Sequence, residues 1–181
     1  ISDVSSQILP SEEIDIIAYG CTSGTIAIGS DRIKEEVNKT KPKAKVTTPI
    51  TAALKAFKHL GLKNIAVLTP YPKDVNATVY DYLTDHNIGV ESFSSFNLEY
   101  DSEIAQVSLE SLEKEISKID LSNVDGLFVS CTALKIVDVL DRVESSQNTV
   151  VISSNQAIIW DCLRSVGIDS KIKGYGKLFL N

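Results

Sequence analysis

Two stretches of this chain read almost alike. Asp15-Ile16-Ile17-Ala18-Tyr19-Gly20-Cys21-Thr22 is matched by Asp125-Gly126-Leu127-Phe128-Val129-Ser130-Cys131-Thr132. Each is an apolar run too short for a buried helix, and each ends in Cys-Thr followed by small residues. Short apolar runs bounded by turn residues are the mark of strands buried on both faces. A second pair repeats further along. Val46-Thr47-Thr48-Pro49 leads into a helical pattern closed by Leu60-Gly61-Leu62, and Ile152-Ser153-Ser154-Asn155 leads into one closed by Val166-Gly167-Ile168. A chain that repeats strand–turn–helix units in this way is expected to fold as two related lobes.

The remaining segments fit that scheme. Strands are expected at Ile14–Tyr19, Lys45–Thr47, Asn64–Thr69, Gly89–Phe96, Leu127–Val129 and Thr149–Ile152. Helices are expected from Ser30 to Asn38, Ile50 to Leu60, Asp74 to His86, Ser102 to Ile119, Ala133 to Val143 and Gln156 to Val166. A loop carrying Gly20, Gly24 and Gly29 should follow the first strand, with Ser30 capping the next helix. Strands alternating with helices predict an α/β architecture with parallel sheets. The halves are unequal, because two strand–helix units precede Cys131 that have no counterpart before Cys21. The repeat therefore predicts a further strand–helix–strand portion of roughly 45–50 residues in the first lobe.

Bulk properties exclude several functions. The chain has 181 residues and a net charge of −6, with no Lys/Arg block to grip nucleic acid. No apolar run is long enough for a membrane helix, and none of these residues reads as a signal peptide. Three cysteines make an odd, widely spaced set, the usage of a reduced, cytoplasmic protein rather than a disulfide framework. No His/Cys/Asp spacing points to a metal, and Gly20-x-x-x-Gly24 is not a dinucleotide fingerprint.

The chemistry then falls on the repeated thiols. Open α/β sheets bind ligands outside the carboxyl ends of their strands, where Cys21 and Cys131 stand. A turn rich in backbone N–H groups, or a helix N-terminus, favours thiolate. Two thiols facing one pocket suit a reaction that removes a proton on one side and returns it on the other. The hydroxyls and amides of Thr22, Ser23, Thr25, Thr132 and Ala133 are candidates to hold a carboxylate, since no Arg lies near either motif. Thr69-Pro70-Tyr71-Pro72 is a stiff turn that can project Tyr71 over the pocket, with Asn76 one helical turn on as support or ligand. Thr47, Thr48, Ser154 and Asn155 end the other paired strands and are further candidates. Cys162 lies beside Trp160 and Leu163 in an apolar helix and reads as core; His59 and His86 sit near helix ends, where they serve the helix dipole or solvent.

At Gly20-Cys21-Thr22-Ser23-Gly24-Thr25, Thr48-Pro49, Thr69-Pro70-Tyr71-Pro72, Ser130-Cys131-Thr132-Ala133-Leu134 and Ser153-Ser154-Asn155-Gln156-Ala157 the chain resembles the aspartate/glutamate racemase superfamily. The subgroup it resembles contains maleate cis-trans isomerase, arylmalonate decarboxylase and the ectoine-utilisation racemase-like proteins. The resemblance implies two pseudo-symmetric flavodoxin-like lobes with the active site in the cleft between them, a small carboxylate substrate, no cofactor and, by family analogy, a homodimer. The expected division is residues 1–62 for the first lobe and 63–152 for the second. Residues 153–181 form a C-terminal helix and tail returning to the first lobe. It also implies catalysis by Cys21 as nucleophile or base and Cys131 as the opposing acid/base, in an isomerase or racemase. Substrate-binding roles would fall to Thr22, Ser23, Thr48, Tyr71, Asn76, Thr132 and Ala133. The alternatives are an arylmalonate-type decarboxylase using Cys131 alone, a non-catalytic carboxylate binder, and a redox protein in which the two thiols pair.

Overall fold

The computed structural model describes residues 1–181. Its six strands are β1 (Ile16–Ala18), β2 (Lys45–Thr47), β3 (Asn64–Thr69), β4 (Gly89–Ser95), β5 (Gly126–Val129) and β6 (Val150–Ser153). They form two sheets. β1 pairs with β2, and the larger sheet runs β4-β3-β5-β6; every pairing is parallel. The helices are α1 (Ser2–Gln7), α2 (Thr22–Ile28), α3 (Ser30–Asn38), α4 (Pro49–Leu60), α5 (Lys73–Asp85), α6 (Asp101–Ile104), α7 (Leu109–Ile116), α8 (Leu140–Gln147) and α9 (Ser154–Ser165). None is long and apolar enough to cross a membrane.

Burial follows the strand patterns. All four residues of β5 and five of the six in β3 are buried, as the central strands of a parallel sheet require. Edge strand β4 is mostly half-buried. The large sheet and its helices share one apolar cluster of 33 buried residues, within which Phe57 of α4 meets Phe128 of β5 edge to face at 5.4 Å. The small sheet has only Ile17, Val37 and Ala44 as a buried cluster of its own. Two three-residue strands cannot stand on so little apolar area. They are held by α3 on one side and by α9, which packs against α4 and touches β1, β2 and β6. The buried Asp161 of α9 accepts Lys55 Nζ of α4 at 2.7 and 2.9 Å and the Thr47 hydroxyl of β2, tying three elements at that junction.

The C-terminal tail is strapped to the large sheet's side. Gly176 N donates to Asp141 at 2.6 Å, Lys177 N to Glu144 at 2.8 Å, and Gln156 Nε2 to the Tyr175 carbonyl at 2.6 Å. Leu178 and Phe179 are thereby buried in the core.

Three expectations need correction. The glycine-bearing loop after β1 is in fact helix α2, begun by Cys21, and the following α3 is preceded by Gly29 with no side-chain cap from Ser30. The long helix expected from Ser102 is two helices. Ser108 restarts the chain by accepting the Ser111 N–H at 3.1 Å, a capping bond that competes with continuation of α6. The helix expected from Ala133 is delayed. A turn and a short 3₁₀ segment, Ile136–Val139, precede α8, and the Asn155 side chain takes the Thr132 carbonyl of that turn.

Candidate active site

Both thiols stand at strand ends, but on different backbones. Cys21 is the N-cap of α2, with φ −126° and ψ 120°, and its Sγ accepts the Gly24 N–H at 3.3 Å. It is exposed, with Ser23 Oγ 3.9 Å away. The Thr25 hydroxyl donates to the Cys21 carbonyl at 2.6 Å, closing the first turn from beneath. A glycine inside a helix costs about 1 kcal/mol relative to alanine. Here a side chain would crowd the thiol: a Cβ on Gly24 would stand 2.9 Å from Cys21 Sγ.

Cys131 follows β5 with φ +108°, a region that non-glycine residues rarely enter and that strains the backbone. From there the chain runs through a turn and the 3₁₀ segment before α8, so the repeat diverges just after the matched Cys-Thr. Asn155 Nδ2 holds the turn by donating to the Thr132 carbonyl at 2.9 Å. Cys131 is buried, and its Sγ accepts the Ala133 N–H at 3.4 Å. Burial pushes its thiol above the ordinary range, against the opposing pull of the Ala133 N–H and the Tyr71 phenol.

A ladder of hydrogen bonds brings the two loops together. The Thr132 hydroxyl donates to the Gly20 carbonyl at 2.8 Å. On the other side of Cys21, Thr22 Oγ1 lies 3.0 Å from Ser154 Oγ, which accepts the Cys131 N–H at 3.1 Å. Each cysteine is thus flanked by a residue bonded to the other's loop, and both thiols remain free rather than paired as a disulfide. Ser154 is fully buried, so this node is dry.

Tyr71 completes the group. It is buried, and its phenol is raised by that burial and by the neighbouring Cys131, with the Ser130 and Thr22 hydroxyls pulling the other way. Its turn is pinned by a polar knot. Thr69 Oγ1 donates to Asn76 Oδ1, Asn76 Nδ2 to the Tyr71 carbonyl at 2.7 Å, and Ser95 Oγ to the same carbonyl at 2.6 Å.

Of the residues singled out from sequence, Cys21, Thr22, Cys131, Thr132, Ala133 and Tyr71 gather at this ladder, and Ser23 borders it. Asn76 is engaged in the Tyr71 turn. Thr48 caps α4 in a reciprocal box with Thr51, Thr47 belongs to Asp161, and Ser154 and Asn155 act through the Cys131 loop. Two residues escaped the sequence reading. Ser130, adjacent to Cys131, is fully buried with no hydrogen-bond partner for its hydroxyl. Tyr19 brings its hydroxyl over Gly24, 2.9 Å from where a Cβ there would stand. Its signal was its spacing: residues i and i+2 of an extended segment point to the same face. No three His, Cys, Asp or Glu side chains stand together as a metal site.

A family model described as arylmalonate decarboxylase matches residues 14–179. The arylmalonate decarboxylase of Bordetella bronchiseptica is 30% identical over 142 residues, covering 74% of this chain and 57% of that protein. The maleate isomerase of Alcaligenes faecalis is 20% identical over 185 residues, covering 98% of this chain and 73% of that one. Among solved structures, a serine-for-cysteine variant of Nocardia farcinica maleate cis-trans isomerase, with a covalently bound succinylcysteine intermediate, superposes with a TM-score of 0.86 at 20% identity. That match covers 91% of this chain and 71% of the other. A matched core that runs through both thiol loops places the chain in the arylmalonate decarboxylase family, within the maleate isomerase and arylmalonate decarboxylase subgroup of the aspartate/glutamate racemase superfamily.

Proposed function

We propose that this chain carries a cofactor-independent isomerase or racemase site for a small carboxylate, worked by two thiols. The observation that carries the reading is the ladder joining Gly20 to Thr132 and Thr22, through Ser154, to Cys131. It sets an exposed thiol with a backbone N–H donor beside a buried thiol held protonated by its surroundings. The two lobes would be duplicates in the flavodoxin manner, which accounts for thiols at matching strand ends. A carboxylate would be held by the hydroxyls of Thr22, Ser23 and Thr132 and the amides around them.

For a cis-alkene diacid, the Cys21 thiolate adds to one alkene carbon. A C–S bond forms, and the π pair moves to the carbon beside the carboxylate, giving an enediolate-like anion. Tyr71 donates a hydrogen bond to that charge. The Cys131 thiol gives its proton to the anionic carbon, yielding a succinyl thioether. The former double bond is now single and rotates. Cys131 thiolate takes back a proton, the C–S bond breaks toward Cys21, and the trans-alkene leaves. The succinylcysteine carried by the Nocardia farcinica isomerase supports this order of events. For an α-substituted acid the same pair would exchange the α-proton between faces.

The second reading is decarboxylation of a substituted malonate, favoured by the family match and by the 30% identical relative. There Cys131 alone protonates the enediolate left by loss of CO₂. NMR in D₂O with maleate, phenylmalonate and a panel of α-substituted acids separates the cases. Conversion of maleate to fumarate, or α-deuteration with racemisation, abolished by either Cys21→Ala or Cys131→Ala, is the result expected. CO₂ loss that survives Cys21→Ala but not Cys131→Ala would transfer the assignment to the decarboxylase. Full turnover in Cys131→Ala would sink both.

A further inference from the structure

Helices α2 and α5 are neighbours, and between them lies a surface cavity of about 440 Å³. Ser23, Gly24 and Ala27 of α2 line one side and Asp74, Val75 and Thr78 of α5 the other. Ser23 and Ala27 stand one turn apart, as do Asp74 and Thr78, so each helix gives one face to the cavity. The α2 wall is low because it carries only small side chains. The cavity begins at the exposed thiol: Ser23 Oγ is 3.9 Å from Cys21 Sγ, and the Gly24 N–H donates to that sulfur at 3.3 Å. The one charged side chain of the lining is Asp74, which is exposed, while the ion pairs of the chain all lie elsewhere. It stands in the first turn of α5, whose N-terminus carries about half a positive charge, and a full carboxylate charge outweighs that. The Cys131 side is also acidic. Leu98 N donates to the Pro70 carbonyl at 2.7 Å, which draws the segment after β4 along the Tyr71 turn, and α6 then opens on Asp101. Behind burial, the main cause, the Asp101 carboxylate also pushes the Cys131 thiol up. The ladder between the thiols is built of hydroxyls, an amide and a carbonyl, with no cation in it.

We propose that the cavity between α2 and α5 is a subsite for a cationic group of the substrate, with Asp74 as its counter-charge. The substrate class this selects is a small carboxylate that also bears an ammonium or similar cationic nitrogen. The inference rests on Cys21 being a reactive thiol of the proposed function, and within that reading it favours α-proton exchange over the cis-alkene diacid. Charge balance decides between the two. A diacid would bring two negative charges to neutral donors flanked by Asp74 and Asp101, with no side-chain cation to offset them. A zwitterion brings one carboxylate for the hydroxyls of Thr22, Ser23 and Thr132 and one cation for Asp74. The Thr78 hydroxyl, on the same face as Asp74, can accept a further N–H of an ammonium. Two unit charges about 4 Å apart in water change affinity about fivefold, the scale that suits an exposed carboxylate. Attraction of the ammonium and repulsion of a second carboxylate act in the same direction, so the two ligand classes should separate clearly.

The test is protection of Cys21 against iodoacetamide, read by peptide mass spectrometry, which needs no turnover and has Cys162 as an internal reference. The probes are matched pairs: 4-aminobutyrate against glutarate, and 3-aminopropionate against succinate. The ammonium-bearing acids should half-protect Cys21 at concentrations at least about fivefold lower than their diacid partners. Asp74→Asn keeps the shape of the side chain and should remove most of that difference, and Asp74→Lys should reverse it. Ala27→Leu fills the cavity while leaving Asp74 in place. It should weaken protection by the ammonium-bearing acids, which separates occupancy of the cavity from a general field of the carboxylate. Equal protection by the two classes, protection by neither, or a preference unchanged in Asp74→Asn would overturn the subsite. A preference untouched by Ala27→Leu would overturn it too, since charge alone would then suffice. A preference lost in both Asp74→Asn and Ala27→Leu, in a protein that turns over no acid, would keep the subsite and remove the proposed reaction instead.

Discussion

Ser154→Ala is the sharpest perturbation of the ladder. The side chain is fully buried, accepts the Cys131 N–H at 3.1 Å and meets Thr22 Oγ1 at 3.0 Å. Each bond contributes about 1 kcal/mol, and the Cys131 N–H left unpaired in a dry site adds about 1–3 kcal/mol. The expected loss is about 3–5 kcal/mol, which for a chain of this size lowers Tm by about 6–20 °C. Ser153→Ala is the matched control. It removes a buried N-cap, the single bond from Gln156 N at 3.1 Å, and should cost about 1–2 kcal/mol. The variants should also part in chemistry. Ser154 holds Cys131 at its positive φ, so its loss should let the loop relax and speed labelling of Cys131. Urea melts and thiol labelling on both proteins provide the measurement. If Ser154→Ala costs no more than Ser153→Ala and Cys131 labels as before, the ladder does not hold the thiol loops and the reasoning fails.

Two further outcomes follow from the charged groups. The Asp125 carboxylate accepts the N–H groups of Asn64 and Lys63, each at 2.8 Å, and these hold it below the usual carboxylate range. A lowered folded-state value stabilises above about pH 4 and loses that stabilisation as pH falls through the folded value. Asp125→Asn should therefore shrink the stability gap between neutral and acid pH; equal gaps in urea melts would contradict this. Glu144 is buried and raised by that burial, while its two oxygens accept Val151 N at 2.9 Å and Lys177 N at 2.8 Å. Glu144→Gln keeps one acceptor oxygen and turns an amide NH₂ toward the other donor, at a cost of about 2 kcal/mol. Amide exchange should accelerate at Lys177 or Val151, and protection unchanged at both would count against the strap.

Much of the fold could be read from residue order because parallel strands leave a plain pattern. Asn64–Thr69 is an apolar run between turn residues, and Gly61, at φ +72°, closes α4 as its position implied. Where reading failed, a tertiary contact outweighed local preference. Gly24 looked like loop chemistry, yet it is a helical residue whose missing side chain makes room for Cys21 and Tyr19. Ala133 to Val143 has helical spacing, but the Asn155 side chain takes the Thr132 carbonyl of the turn after Cys131, and α8 begins only at Leu140. The two thiols were visible because they repeat. Tyr19 and Ser130 were not, because each matters through a neighbour that only the folded chain supplies.

The small sheet's dependence on α9 has a consequence for synthesis. Strands β1 and β2 are made early, but their own buried cluster is three residues, and the helix that supports them ends at Ser165. During translation the large sheet can begin to condense while β1 and β2 wait for α9, which follows all six strands, to leave the ribosome. The Cys21 half of the site is thus the first to be translated and among the last to assemble. A chain stalled with β6 outside the ribosome and α9 still within it would hold its large-sheet strands together while β1 and β2 lacked the helix that supports them.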